Sequence, residues 1–126
     1  MSTKKLGGHE APTETDAYQG AAASRLRPKG KPADEKGDVI TFAGGTFHSS
    51  LCDQWGYNKG IVAAVRQGDA IQFETETRSD RDGCLVWRGF VTGSVIEGTF
   101  IHHRKPAWYR PNPEPLEHWF KGVAKP

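Results

Sequence analysis

The chain has 126 residues, enough for one domain, and its 17 Lys/Arg against 15 Asp/Glu leave a formal charge of +2. That balance is too slight to argue for nucleic acid or an anionic membrane surface. No apolar run reaches the roughly 18 residues a bilayer span needs. The N-terminal MSTKKLGGHEAPTETDAYQG lacks the apolar stretch of a secretory signal, so the chain reads as cytoplasmic; a mature exported form stripped of its signal would read the same.

Composition shifts along the chain. Residues 1–37 hold one aromatic, Tyr18, and are rich in Gly, Ala, Pro, Lys, Ser and Thr. Such a segment buries too little apolar surface to offset its ordering entropy. It is expected to be a long irregular N-terminal arm, with AAASRL forming at most one helical turn on a partner. The other twelve aromatics lie between Phe42 and Phe120, which places the folded domain at 38–126. The two cysteines, Cys52 and Cys84, permit one disulfide without demanding it. In a reducing compartment both would be small buried hydrophobes.

Asp38-Val39-Ile40-Thr41-Phe42 is the first strand signal, and Ala43-Gly44-Gly45 a turn or bulge. Thr46–Cys52 follows as a second strand, with His48, Ser50 and Cys52 on one face. Asp53–Gly60 is a loop carrying Trp55 and Tyr57. Ile61–Val65 is a short apolar strand, and Ala70–Thr77 alternates with Ile71, Phe73 and Thr75 inward. Ser79–Gly83 is a turn by composition. Gly83–His103 is the most regular piece, a hairpin turning at Thr92-Gly93-Ser94. It puts Leu85, Trp87, Val91, Ile96 and Phe100 inward, with His102 at its far end. The segment Arg104–Pro115, RKPAWYRPNPEP, has four prolines and cannot be regular structure. Leu116–Phe120 returns as the last strand.

Short strands joined mostly by tight turns imply antiparallel neighbours. The expected fold is all-β: a small antiparallel up-and-down meander barrel or half-barrel, closed to remove its edges. The segments TFHSSLCDQWGY, VWRGFVTGSVIEG and EHWFKG, with this turn spacing, resemble the calycin group of lipocalin-like small barrels and bacterial domains built on that plan. The Gly-x-Trp signature near the first strand of typical lipocalins is absent. What the resemblance implies is a pocket at the barrel mouth for a small apolar ligand, with Trp55, Tyr57, Trp87, Phe100, His102 and Trp119 as its lining, and no particular reaction.

No P-loop, Gly-x-Ser-x-Gly or Cys-x-x-Cys occurs, and no cofactor is implied. Three function classes remain. The favoured one is a non-enzymatic accessory module that holds a protein partner through residues 1–37 and 104–115. Trp108, Tyr109 and Arg110 are its best contacts, since aromatics and Arg dominate binding hot spots; the alternative is that Trp108 and Tyr109 fold back to cap the barrel. The second is a barrel isomerase or cyclase with acid–base groups His48, Asp53, His102 and Glu97 at the mouth. The third is a metal or haem carrier using His48, Cys52 and His102. His48 and Cys52 lie four residues apart, roughly 13 Å on a straight strand and too far for one ion unless the chain bends. A pocket ringed by His48, His102 and His118 is the remaining possibility.

Overall fold

A computed structural model of the chain describes residues 16–24 and 36–124. Among the described residues there are nine strands: β1 (Asp16–Ser24), β2 (Lys36–Ala43), β3 (Thr46–Ser49), β4 (Gly60–Ile61), β5 (Ala63–Gln67), β6 (Ala70–Ser79), β7 (Gly83–Thr92), β8 (Val95–Arg104) and β9 (Leu116–Ala124). A short 3-10 helix, Ser50–Trp55, lies between β3 and β4. All pairings are antiparallel. The strands form one sheet in the order β4-β3-β2-β1-β9-β8-β7-β6-β5. The all-β meander is therefore as expected.

The two edges of that sheet, β4 and β5, are one stretch of chain interrupted at Val62. Val62 is buried, and its N–H donates to the Gly45 carbonyl at 2.9 Å. Thr75 of β6 donates to the Ile61 carbonyl at 2.8 Å. The core requires the same closure. Phe42 on β2 and Phe73 on β6 are five places apart in the sheet, roughly 24 Å if it were flat. Their ring centroids are 5.3 Å apart. The sheet has curled until its faces meet, and a barrel of about eight strands has an interior just wide enough for side chains to fill.

The filling is aromatic. Trp87, Phe42, Phe47, Phe73, Phe120 and Ile96 are essentially inaccessible. Trp87 lies 4.7 Å from Phe47, 4.3 Å from Phe100 and 5.4 Å from Phe120, and its indole N–H donates to Thr77 Oγ1 at 3.1 Å. Beside Gly20, Asp38 and Phe120 a cavity of about 10 Å³ remains, the size of one water.

Three corrections to the sequence reading follow. The first concerns the arm. Asp16–Ser24 is not irregular but a strand between β2 and β9. Tyr18 is buried and meets Phe42 edge-to-face at 6.0 Å. The domain thus begins well before Asp38, while the rest of the expected arm, 1–15 and 25–35, lies outside the described residues. The second concerns the strand expected to run to Cys52. It stops at Ser49, because the carboxylate of Asp38 captures the chain there. Ser49 donates to Asp38 Oδ2 at 2.6 Å, and the Leu51 N–H and Ser50 hydroxyl donate to Oδ1 at 2.9 and 3.2 Å. These bonds turn the backbone into the 3-10 helix, so His48, Ser50 and Cys52 do not share a strand face. The third is the break at Val62.

The barrel has two unlike ends. One carries the two-residue turns 44–45, 68–69 and 93–94, with Gly44, Gly68 and Gly93 at positive φ as right-twisted hairpins require. The other carries the 3-10 helix and its following loop, the turn at 80–82 and the proline-rich loop at 105–115. Longer connections on a rigid scaffold are where binding and catalytic groups concentrate. No helix among the described residues is long and apolar enough to cross a membrane.

Candidate functional site

Two features stand at the loop-rich end: a polar cluster in the mouth and an aromatic turn above it.

The cluster is built by three elements. The loop after the 3-10 helix supplies Tyr57, the β6–β7 turn supplies Asp82, and β8 supplies His102. Tyr57 donates its hydroxyl hydrogen to Asp82 Oδ2 at 2.7 Å. His102 Nε2 lies 3.0 Å from the Asp82 carbonyl, 3.2 Å from Asp82 Oδ2 and 3.3 Å from the Tyr57 oxygen. A carbonyl and a carboxylate only accept, so the network assigns the Nε2 hydrogen to His102. Burial, then the bond to the Asp82 carboxylate, hold the Tyr57 hydroxyl far above its ordinary range, so it is a donor at any physiological pH. His118 stacks on Phe100 with centroids 4.6 Å apart, and its ring lies 6.4 Å from that of His102. Burial, then the nearby His102, push His118 below the ordinary histidine value of 6.5.

The sequence-predicted acid–base set is split. His48 and Asp53 do meet, with Nε2 2.7 Å from Oδ1. They sit on the outer face, because His48 alternates with the buried Phe47 and Ser49. His102 belongs to the separate mouth cluster. Glu97 is exposed and lies near the tight-turn end, three residues past Ser94, rather than at the mouth. The His48–His102–His118 ring therefore does not form. Nor do His48, Cys52 and His102 assemble: among the described residues no three His, Cys, Asp or Glu side chains are placed to hold a metal ion.

The residues expected to line a ligand pocket are dispersed. Trp87 and Phe100 are packed into the core, and Tyr57 and His102 are bound into the polar cluster. Trp55 is partly exposed on the 3-10 helix. Trp119 points outward, since it alternates with the buried Phe120.

Both cysteines are free thiols. Cys52 is buried, with Sγ 3.5 Å from Ser49 Oγ. Burial raises its pKa from 9.0 to about 11; the Ser49 contact lowers it somewhat, and the carboxylates of Asp38, Asp53 and Asp82 raise it. A thiol whose folded pKa is raised contributes stability below its unfolded pKa and loses it as pH climbs to the folded one. Stability is accordingly expected to fall between pH 9.0 and about 11, and Cys52→Ala to flatten that fall in urea titrations. An unchanged slope would contradict the assignment.

The aromatic turn is the tip of the proline-rich loop. Ala107 and Arg110 exchange two backbone hydrogen bonds, at 3.0 and 2.9 Å, leaving Trp108 and Tyr109 at the apex. Their rings meet edge-to-face at 5.6 Å, and the Arg110 guanidinium stands 5.6 Å over the Tyr109 ring. Arg104 donates to the Glu114 carbonyl at 3.0 Å, and Lys105 to the Asp80 carbonyl at 2.5 Å. Trp108 is 93% exposed and Tyr109 66%. At this exposure the rings do not fold back to cap the barrel, the alternative read from the sequence.

Sequence reasoning missed Asp82 and Asp38. Asp82 read as a turn residue, yet the hairpin register was available: Leu85 faces His102 and Gly83 faces Arg104, which sets Asp82 beside the end of β8. Asp38 gave no signal, because its partners lie 11 to 13 residues away.

Fold and site together define a class: an all-β antiparallel meander barrel with a hydrogen-bonded polar cluster and a projecting aromatic turn at one end. No protein-family model, curated protein or solved structure matches the chain.

Proposed function

We propose that this domain is a non-catalytic accessory module that holds a protein partner at its loop-rich end through Trp108, Tyr109 and Arg110. One observation carries the reading: a tryptophan 93% exposed at the apex of a hydrogen-bonded turn. A large apolar side chain held in water on a fixed backbone offers contact area with little ordering cost. Tyr109 and Arg110 beside it complete the residue types that dominate interface hot spots. Within 104–115, Arg104, Lys105 and Arg110 outnumber Glu114, which favours a partner surface of acidic character.

The up-and-down strand order supports the resemblance to the calycin plan. The apolar-ligand reading that comes with it has less behind it, because Trp87 and Phe100 fill the lumen. The acid–base reading is also weaker, since Tyr57, Asp82 and His102 spend their hydrogen bonds on one another.

The test is retention of a partner from extract of the source organism on the immobilised full chain. Truncating a hot-spot aromatic costs about 2 kcal/mol or more, roughly 30-fold in affinity. Trp108→Ala with Tyr109→Ala is expected to lose a protein that the wild type and Val123→Ala both retain. Identical retained sets would contradict the proposal.

A further inference from the structure

The proline-rich loop leaves β8 just after His102 and returns to β9 just before His118. In the ladder His102 pairs with Leu116 and Phe100 with His118. The two histidines thus share the inner face on a diagonal across the last two inward positions of the β8–β9 stem, with rings 6.4 Å apart. We infer that this pair is an acid-triggered catch: when both rings carry protons, the stem opens and the Trp108–Tyr109 turn is released from its fixed position. For partner binding this rests on the function proposed above; the catch itself is a property of the isolated protein.

The surrounding groups differ for the two rings. His102 faces the Asp82 carboxylate and Tyr57 hydroxyl on one side, Leu85 on β7, and Leu116 and His118 on β9. A proton added to His102 has a carboxylate partner. His118 faces Phe100, His102 and the backbone of Ser24. The Phe100 ring face partly compensates an imidazolium, but burial and a second cation oppose it, and the net direction for His118 is down. The other charges on the stem do not relieve the pair: Arg104 and Lys105 are cations engaged with the Glu114 and Asp80 carbonyls. Glu117 alternates to the outer face of β9.

The sign follows from linkage. A histidine whose folded pKa lies below 6.5 binds fewer protons closed than open. Opening is therefore favoured progressively as pH falls below 6.5, and the effect saturates below the folded value. Each pH unit inside that window multiplies the opening constant about tenfold.

Amide hydrogen exchange on the full chain, expressed as protection relative to intrinsic rates, reads the catch. Between pH 7.5 and 5.5, protection at Leu116, Glu117 and His118 is expected to be lost progressively below pH 6.5, while β6–β7 amides hold theirs. His118→Phe keeps the stack and should abolish the fall; His118→Asn should do the same if the phenylalanine packs badly. Unchanged stem protection in the wild type, or an equal fall in both variants, would overturn the inference. Neither outcome bears on partner retention at pH 7.5, which the Trp108 and Tyr109 substitutions test separately.

Discussion

Trp87→Ala is expected to lower stability by about 3–5 kcal/mol, the cost of deleting a large aromatic from a packed core. Trp87 is the largest of the inaccessible side chains and touches rings from three other strands: Phe47, Phe100 and Phe120. Its removal leaves a cavity that β-strands closed into a ring cannot collapse to fill, and leaves the Thr77 hydroxyl without its donor. For a domain with net stability on the order of 5–15 kcal/mol, that is a large fraction. Trp108→Ala, at the exposed apex, should change stability by no more than about 0.5 kcal/mol. Urea denaturation of the two variants provides the comparison. A Trp87→Ala cost under about 1 kcal/mol would mean that the lumen is loosely filled, as a ligand-binding barrel would be.

Gly20→Val is expected to cost about 3 kcal/mol or more, at the upper end of overpacking effects. A Cβ at Gly20 would lie 2.0 Å from the Lys121 carbonyl oxygen and 2.4 Å from the Gly122 Cα. Both obstacles are backbone, so no rotamer change relieves them. β1 would have to leave β9, exposing Tyr18 and opening the barrel. Gly37→Ala is the control, because nothing lies within 4 Å of its Cβ position. Calorimetric melting of both variants distinguishes a seam strand from a dispensable arm. Equal, small shifts would contradict the placement of β1.

The same residue explains what was legible. The Gly83–His103 hairpin could be read because its inward positions are large and alternate cleanly with polar ones. Its turn and its inward set both appear in the structure. β1 was hidden because Gly20, Ala21, Ala22 and Ala23 have low strand propensity and carry no hydrophobic alternation. Its order comes from pairing on both sides, a tertiary effect, and Gly20 is small because β9 crosses too close for any side chain. Tyr18 was the one local sign, a lone aromatic in a polar segment. The turn into the 3-10 helix at Ser50 was equally hidden, since a carboxylate twelve residues upstream imposes it. Of the site, the Trp108–Tyr109–Arg110 turn was visible from composition, proline having ruled out regular structure. The Tyr57–Asp82–His102 cluster was not, because it joins three separate connections.

A photoreactive phenylalanine analogue placed at position 108, and at position 123 as a control, tests the central claim most directly. Both sites are exposed, 93% and 56%, but 123 lies at the tight-turn end. On irradiation in cells of the source organism, one discrete protein adduct at 108, absent at 123 and lost on Arg110→Glu, is the expected result. No adduct at 108, or the same adducts at both positions, would contradict a partner-binding turn.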